Sequence, residues 1–81
     1  MKINLRFFSV YRDITGARQT TIDVPERTTL EDLFQALLEH HPRLRSLRKS
    51  ALFAVNREFA GSDLVLKEGD EVAFMPPVGG G

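Results

Sequence analysis

The chain has 81 residues, with 11 basic and 11 acidic side chains and no formal net charge. That length holds one domain with a single modest core. The charge balance argues against nucleic acid or an anionic membrane as the main partner, because both select for excess positive charge. Cysteine is absent, which removes disulfides, thiol nucleophiles and cysteine metal ligands together. No run reaches the length of a membrane-spanning helix, and the start shows no secretory pattern, so the expected address is cytoplasmic.

In KINLRFF the residues Ile3, Leu5 and Phe7 alternate with Lys2, Asn4 and Arg6. This period of two predicts a half-buried strand. SVYRDITGA follows, read as about one helical turn closed at Thr15-Gly16. RQTTIDV alternates again, with Thr20, Ile22 and Val24 on one face. The two strands are expected to pair around the segment 10–16.

PERTTLEDLFQALLEHHP carries the clearest signal. Leu30, Leu33, Phe34, Leu37 and Leu38 fall at i, i+3, i+4, i+7 and i+8, one apolar stripe of a helix. Thr28 is expected to cap it, with Glu31 completing a capping box. Glu31 and Asp32 suit the positive end of the helix dipole, and Pro42 stops the helix. RLRSLRKS reads as a loop or a short helical turn. ALFAV predicts a buried strand ending in a tight turn at Asn56-Arg57, after which Phe59 begins a short strand. DLVL is a further short piece. Gly69-Asp70 turns the chain into a last strand, EVAFM. One helix with a mixed sheet in so few residues predicts an α+β roll with the helix laid across the sheet.

No side-chain constellation has the look of an active site. His40 and His41 are adjacent at a helix end and do not converge on one metal. Glu31 and Asp32 belong to the capping signal, and no glycine-rich phosphate loop is present. The basic run Arg43, Arg45, Arg48 and Lys49 has two readings, a docking or RNA surface and a solvated loop; the balanced net charge favours the loop, and no aromatics interleave with the run to stack on bases.

The segment Pro76–Gly81 is different. Pro76-Pro77 cannot extend a sheet and stiffens the exit from the last strand. Gly79-Gly80-Gly81 adds no side chains. Six residues reach at most about 20 Å, so this tail suits a channel too narrow for side chains; the alternative is an ordinary flexible terminus or a cloning remnant, which composition alone does not exclude. It would deliver one reactive group, the carboxylate of Gly81. A carboxylate is a poor acyl donor until it is adenylated, and the enzyme that does so would supply the catalytic groups missing here. The expected organisation is a domain over 1–75 and a functional tail over 76–81.

With FFSVYRDITG, AVN and LKEGDEVAFMPPVGGG, the chain resembles the small, sulfur-carrying subunits of molybdopterin synthase, a ubiquitin-like family, along essentially its whole length. The resemblance implies a β-grasp fold. It implies that Gly81, paired with Gly80, is activated as an acyl-adenylate by an adenylating partner that uses ATP, then carries a thiocarboxylate. The tail would enter the large synthase subunit and give sulfur to cyclic pyranopterin monophosphate, the small subunit being non-catalytic alone. The family's usual assembly is a heterotetramer of two small and two large subunits. Phe8, Phe59 and Met75 would form the partner surface, with Pro76, Pro77, Val78 and Gly79 leading into the channel. Phe8 is the strongest of these, because Phe7 takes the inward position of its strand. Gly79 departs from the family, which often has a small side chain there, and Met75 stands where an aromatic is common. The same terminal chemistry also serves carriers for thiamine or tRNA thiolation and ubiquitin-like protein modifiers.

Overall fold

The computed structural model describes residues 1–77. In chain order the elements are β1 (Lys2–Phe7), α1 (Val10–Thr15), β2 (Gln19–Asp23), α2 (Leu30–His40), a 3-10 helix over Pro42–Ser50, β3 (Leu52–Val55), β4 (Glu58–Ala60) and β5 (Glu71–Met75). The five strands form one sheet in the order β2-β1-β5-β3-β4. Only β1 and β5 run parallel, with Leu5 opposite Val72 and Phe7 opposite Phe74. The other pairings are antiparallel. The last strand thus enters between the first and third, and the two ends of the domain are tied at its centre.

The alternation in β1 is realised as expected: Ile3, Leu5 and Phe7 are buried, and Lys2 and Asn4 are exposed. Opposite them on β2, Ile22 faces Ile3 and Thr20 faces Leu5. Strand β2 is an edge, so most of it stays exposed. Gly16 closes α1 in a left-handed conformation at φ 76°, and its N–H donates to the Arg12 carbonyl at 2.8 Å.

Helix α2 lies across the sheet and buries Leu30, Leu33, Phe34 and Leu37, with Leu38 packed at the margin. The core is centred on Phe74, which is fully buried. Its ring meets Phe7, Phe53, Tyr11 and Phe34 at centroid distances of 5.5, 5.7, 6.1 and 6.3 Å. Each such pair adds about 0.5–1.5 kcal/mol beyond the area it buries.

Two local expectations are corrected. The helix cap is Thr29, not Thr28. The Thr29 hydroxyl accepts from the Asp32 N–H at 3.1 Å, and the Asp32 carboxylate accepts from the Thr29 N–H at 3.2 Å. Thr28 is buried, its hydroxyl donating to the Pro25 carbonyl at 2.6 Å. Its own carbonyl accepts from Leu66 N–H, and Thr29 bridges to Val65. The DLVL segment, a single bridge and not a strand, therefore holds Thr28 extended and delays the helix by one residue.

The basic run is also not uniformly solvated. Arg43, Arg45 and Lys49 are exposed, but Leu44 is buried and Arg48 is half-buried. Arg48 donates to Glu31 through both Nε and Nη2. Its guanidinium also lies 5.7 Å from the centre of the Phe34 ring and 5.6 Å from that of Phe53. Glu31 therefore serves a long-range ion pair and leaves the capping box to Asp32.

Candidate partner-docking site

The outward face of the sheet is set by the same alternation that fills the core. Across its middle, the register places Arg6 opposite Ala73, Ala73 opposite Ala54, and Ala54 opposite Phe59. The adjoining pair is Leu52 and Met75. Two alanines in a row leave a low floor, and larger side chains stand around it. The result is a groove lined by Phe8, Phe59 and Met75 with Arg6, Arg57 and Glu71 at its margin.

Three of the residues expected to bind a partner thus converge on one concavity, although they come from different parts of the chain. Phe59 is 70% exposed and Phe8 39%. Met75 is half-buried. Large apolar side chains held this far out on a small sheet are what an interaction surface requires. The Arg6 guanidinium lies 5.4 Å from the centre of the Phe8 ring, which supports that ring in its outward position. Phe8 N–H donates to the Phe74 carbonyl at 3.2 Å. Immediately after it, Ser9 takes φ 50° and turns the chain into α1, a conformation unfavourable for a residue with a side chain.

The groove opens beside the end of β5, where the chain continues into Pro76, half-buried, and Pro77, exposed. Proline has no N–H to add to the sheet, so the ladder stops at Met75. The predicted site residues Val78, Gly79, Gly80 and Gly81 lie outside the described residues.

Arg6, Ala54, Ala73, Arg57 and Glu71, which also line the groove, are not among the residues expected from the sequence. Alternation in β1 and β5 does point Arg6 and Ala73 outward. That Ala54 joins them depends on the pairing of β3 with β5, which no local pattern states. Asn56 and Arg57 both hold positive φ, 51° and 72°, in the two-residue turn that such hairpins favour. The Asn56 side chain fixes that turn to the next one: its amide donates to Asp70 at 2.9 Å and its carbonyl accepts from Glu71 N–H at 3.0 Å.

The perturbed acid-base groups lie on the helix side, away from the groove. The hydrogen bond from Arg48, then that from Gln35, holds the Glu31 carboxyl below its ordinary range. Burial pushes the Tyr11 phenol up, with the nearby Arg48 charge opposing. None of these groups lines the groove. Among the described residues no three His, Asp or Glu side chains gather as a metal would require, and no helix is long and apolar enough to cross a membrane.

A mixed five-stranded sheet with one long helix across it, and with its first and last strands parallel at the centre, defines a β-grasp domain of the ubiquitin-like class. Residues 5–81 match the ThiS family, and the chain belongs to it. It is 35% identical to the molybdopterin synthase sulfur carrier subunit of Chlamydomonas reinhardtii, over the full length of both chains. Among solved structures it superposes on small archaeal modifier protein 1 of Haloferax volcanii with a TM-score of 0.84 and 28% identity, covering 95% of this chain and 98% of that one. It also matches a chain in the protein–protein complex of subunits 1 and 2 of molybdopterin-converting factor from Helicobacter pylori, with a TM-score of 0.69, 27% identity and full coverage of both chains.

Proposed function

We propose that this chain is the sulfur-carrying small subunit of a molybdopterin synthase, working in the cytoplasm. The observation that carries the reading is the convergence of Phe8, Phe59 and Met75 on one groove beside the Pro76-Pro77 exit. A protein seated in that groove receives the tail directly. The family match extends through Gly81, and the full-length likeness to a named sulfur carrier subunit supports the same role.

In this role the domain is an adaptor and its partners hold the catalytic groups. An adenylating enzyme transfers AMP from ATP to the Gly81 carboxylate, releasing pyrophosphate. A sulfur donor then displaces AMP and leaves a thiocarboxylate. The large synthase subunit takes the loaded tail, with Gly80 and Gly79 passing where side chains would not, and sulfur goes to cyclic pyranopterin monophosphate. Two small subunits flank a dimer of large subunits. The likeness to a protein solved as a complex of two subunits of molybdopterin-converting factor supports the large-subunit partner.

The test is reconstitution. The chain is incubated with an adenylating enzyme, ATP and a sulfur donor, and intact mass reports replacement of one oxygen by sulfur. Adding the large subunit and cyclic pyranopterin monophosphate should yield the dithiolene. A second reading, a ubiquitin-like modifier joined to lysines, is favoured by the likeness to small archaeal modifier protein 1. Sulfur gain without dithiolene, or mass addition to other proteins, would favour that reading or a different sulfur acceptor. No sulfur gain at all would end the carrier reading.

A further inference from the structure

Next to the apolar groove, and sharing Arg6 and Phe8 with it, is a second concavity lined by Arg6, Phe7, Phe8, Arg12 and Arg18. Three arginines from three elements line it: Arg6 of β1, Arg12 of α1 and Arg18 in the turn before β2. Phe7 N–H donates to the Arg18 carbonyl at 2.9 Å, which brings the start of β2 alongside the end of β1. Arg12, on α1, lines the same concavity. None of the three arginines has a carboxylate within ion-pair distance among the described residues; the ion pair found there is Arg48–Glu31, on the helix side. Asp13, beside Arg12 on α1, bridges to none of them. In a chain with no net charge, three uncompensated cations at one spot are a local field that overall composition conceals.

We propose that this arginine cluster is the charged rim of the docking site and receives aspartate or glutamate side chains of the protein seated in the groove. The inference rests on the carrier reading and adds to it the chemistry of the partner's surface. Position selects carboxylates of a protein over a nucleotide phosphate. The cluster stands at the base of the tail, beside the strand that ends at Met75. The reacting end at Gly81 reaches up to about 20 Å from Pro76 when the tail is extended into a channel. A phosphate engaged in the chemistry at that end is therefore remote from the arginines. What lies over them is the body of the docked partner. An apolar centre bordered by arginine is the usual composition of a protein interface, and the planar guanidinium fork suits bidentate contact with carboxylate.

A rim of this kind acts on encounter more than on residence. The test uses the full chain and the purified large synthase subunit, with association followed by stopped flow at low and high salt. Replacing Arg12→Gln and Arg18→Gln together should slow association about tenfold at low salt and change dissociation less than about twofold, the gap closing at high salt as screening removes the field. Phe59→Ala should act oppositely, speeding dissociation. Thermal unfolding of each variant confirms that the domain is intact. Equal association rates and equal salt slopes for wild type and the arginine double variant would overturn the rim while leaving the carrier reading standing. So would competition by millimolar inorganic phosphate or AMP at constant ionic strength, which would make the cluster a small-anion site. If the wild-type chain does not bind the large subunit at all, the carrier reading fails and the rim falls with it.

Discussion

Arg48 reaches back seventeen residues to Glu31 and lies over Phe34 and Phe53 as it does so. One side chain thereby fastens the 3-10 segment to the first turn of α2 and covers the edge of the aromatic core. Both side chains are about one-third exposed, 33% and 37%, so the charge contribution belongs at the modest end for ion pairs. The packing over two rings adds to it.

Arg48→Lys is expected to cost about 1 kcal/mol in urea denaturation, because an ammonium cannot reproduce the two-point contact or the flat stacking. Glu31→Gln should cost roughly 0.5 kcal/mol at neutral pH. Its pH dependence follows from the lowered Glu31 carboxyl. A carboxyl lowered in the folded state stabilises above its ordinary range, and that stability is lost as pH falls through the lowered value. Wild type and Glu31→Gln should therefore converge in acid. A gap that persists there would show that the loss is packing alone.

The two threonines before α2 separate cap from pattern. Thr29→Ala removes the side-chain acceptor for Asp32 N–H and should cost about 1 kcal/mol. Glu31 takes no part in that cap, so Thr29→Ala and Glu31→Gln should add when combined. A double-mutant cycle with strong coupling would contradict the separation.

Phe74 and Phe59 are both phenylalanines on strands, with opposite expected outcomes. Phe74→Ala empties the centre of the core and should cost about 3–5 kcal/mol, a large fraction of the stability of so small a domain. Phe59→Ala removes a ring that is 70% exposed and should shift stability by less than about 0.5 kcal/mol. Calorimetry on the pair checks both. A large stability loss for Phe59→Ala would make it a packing residue.

Asn56 fastens the β3–β4 turn to the start of β5 through two side-chain hydrogen bonds. Asn56→Ala should cost about 1–2 kcal/mol and loosen the margin of the groove. Hydrogen exchange at Glu71 N–H, which donates to Asn56, should accelerate in step. Unchanged exchange there would mean that the strand is held without the turn.

Removing Gly80 and Gly81 should leave stability within about 0.5 kcal/mol of wild type, because two terminal glycines have no side chains to bury. Sulfur acquisition should be lost completely. Retained sulfur loading, read by intact mass, would place the carried group elsewhere.

The local patterns were sufficient for the elements. Alternation in KINLRFF, the stripe from Leu30 to Leu38 and the Gly69-Asp70 turn each depend on neighbours within a few residues, and each is realised. The outward placement of Phe8 was legible for the same reason, since Phe7 must face in. Where two local solutions were equally good, the chain alone did not choose. Thr28 with Glu31 and Thr29 with Asp32 have the same capping spacing, and the passing segment at Val65 and Leu66 decides between them. Arg48 looked like one more solvated cation because its partner is seventeen residues away. The groove and the arginine cluster depend on pairing: β5 must enter between β1 and β3 before Ala54, Ala73, Phe59 and Arg6 share a row. Strand periodicity fixes which side a residue faces, but only long-range pairing fixes what stands next to it.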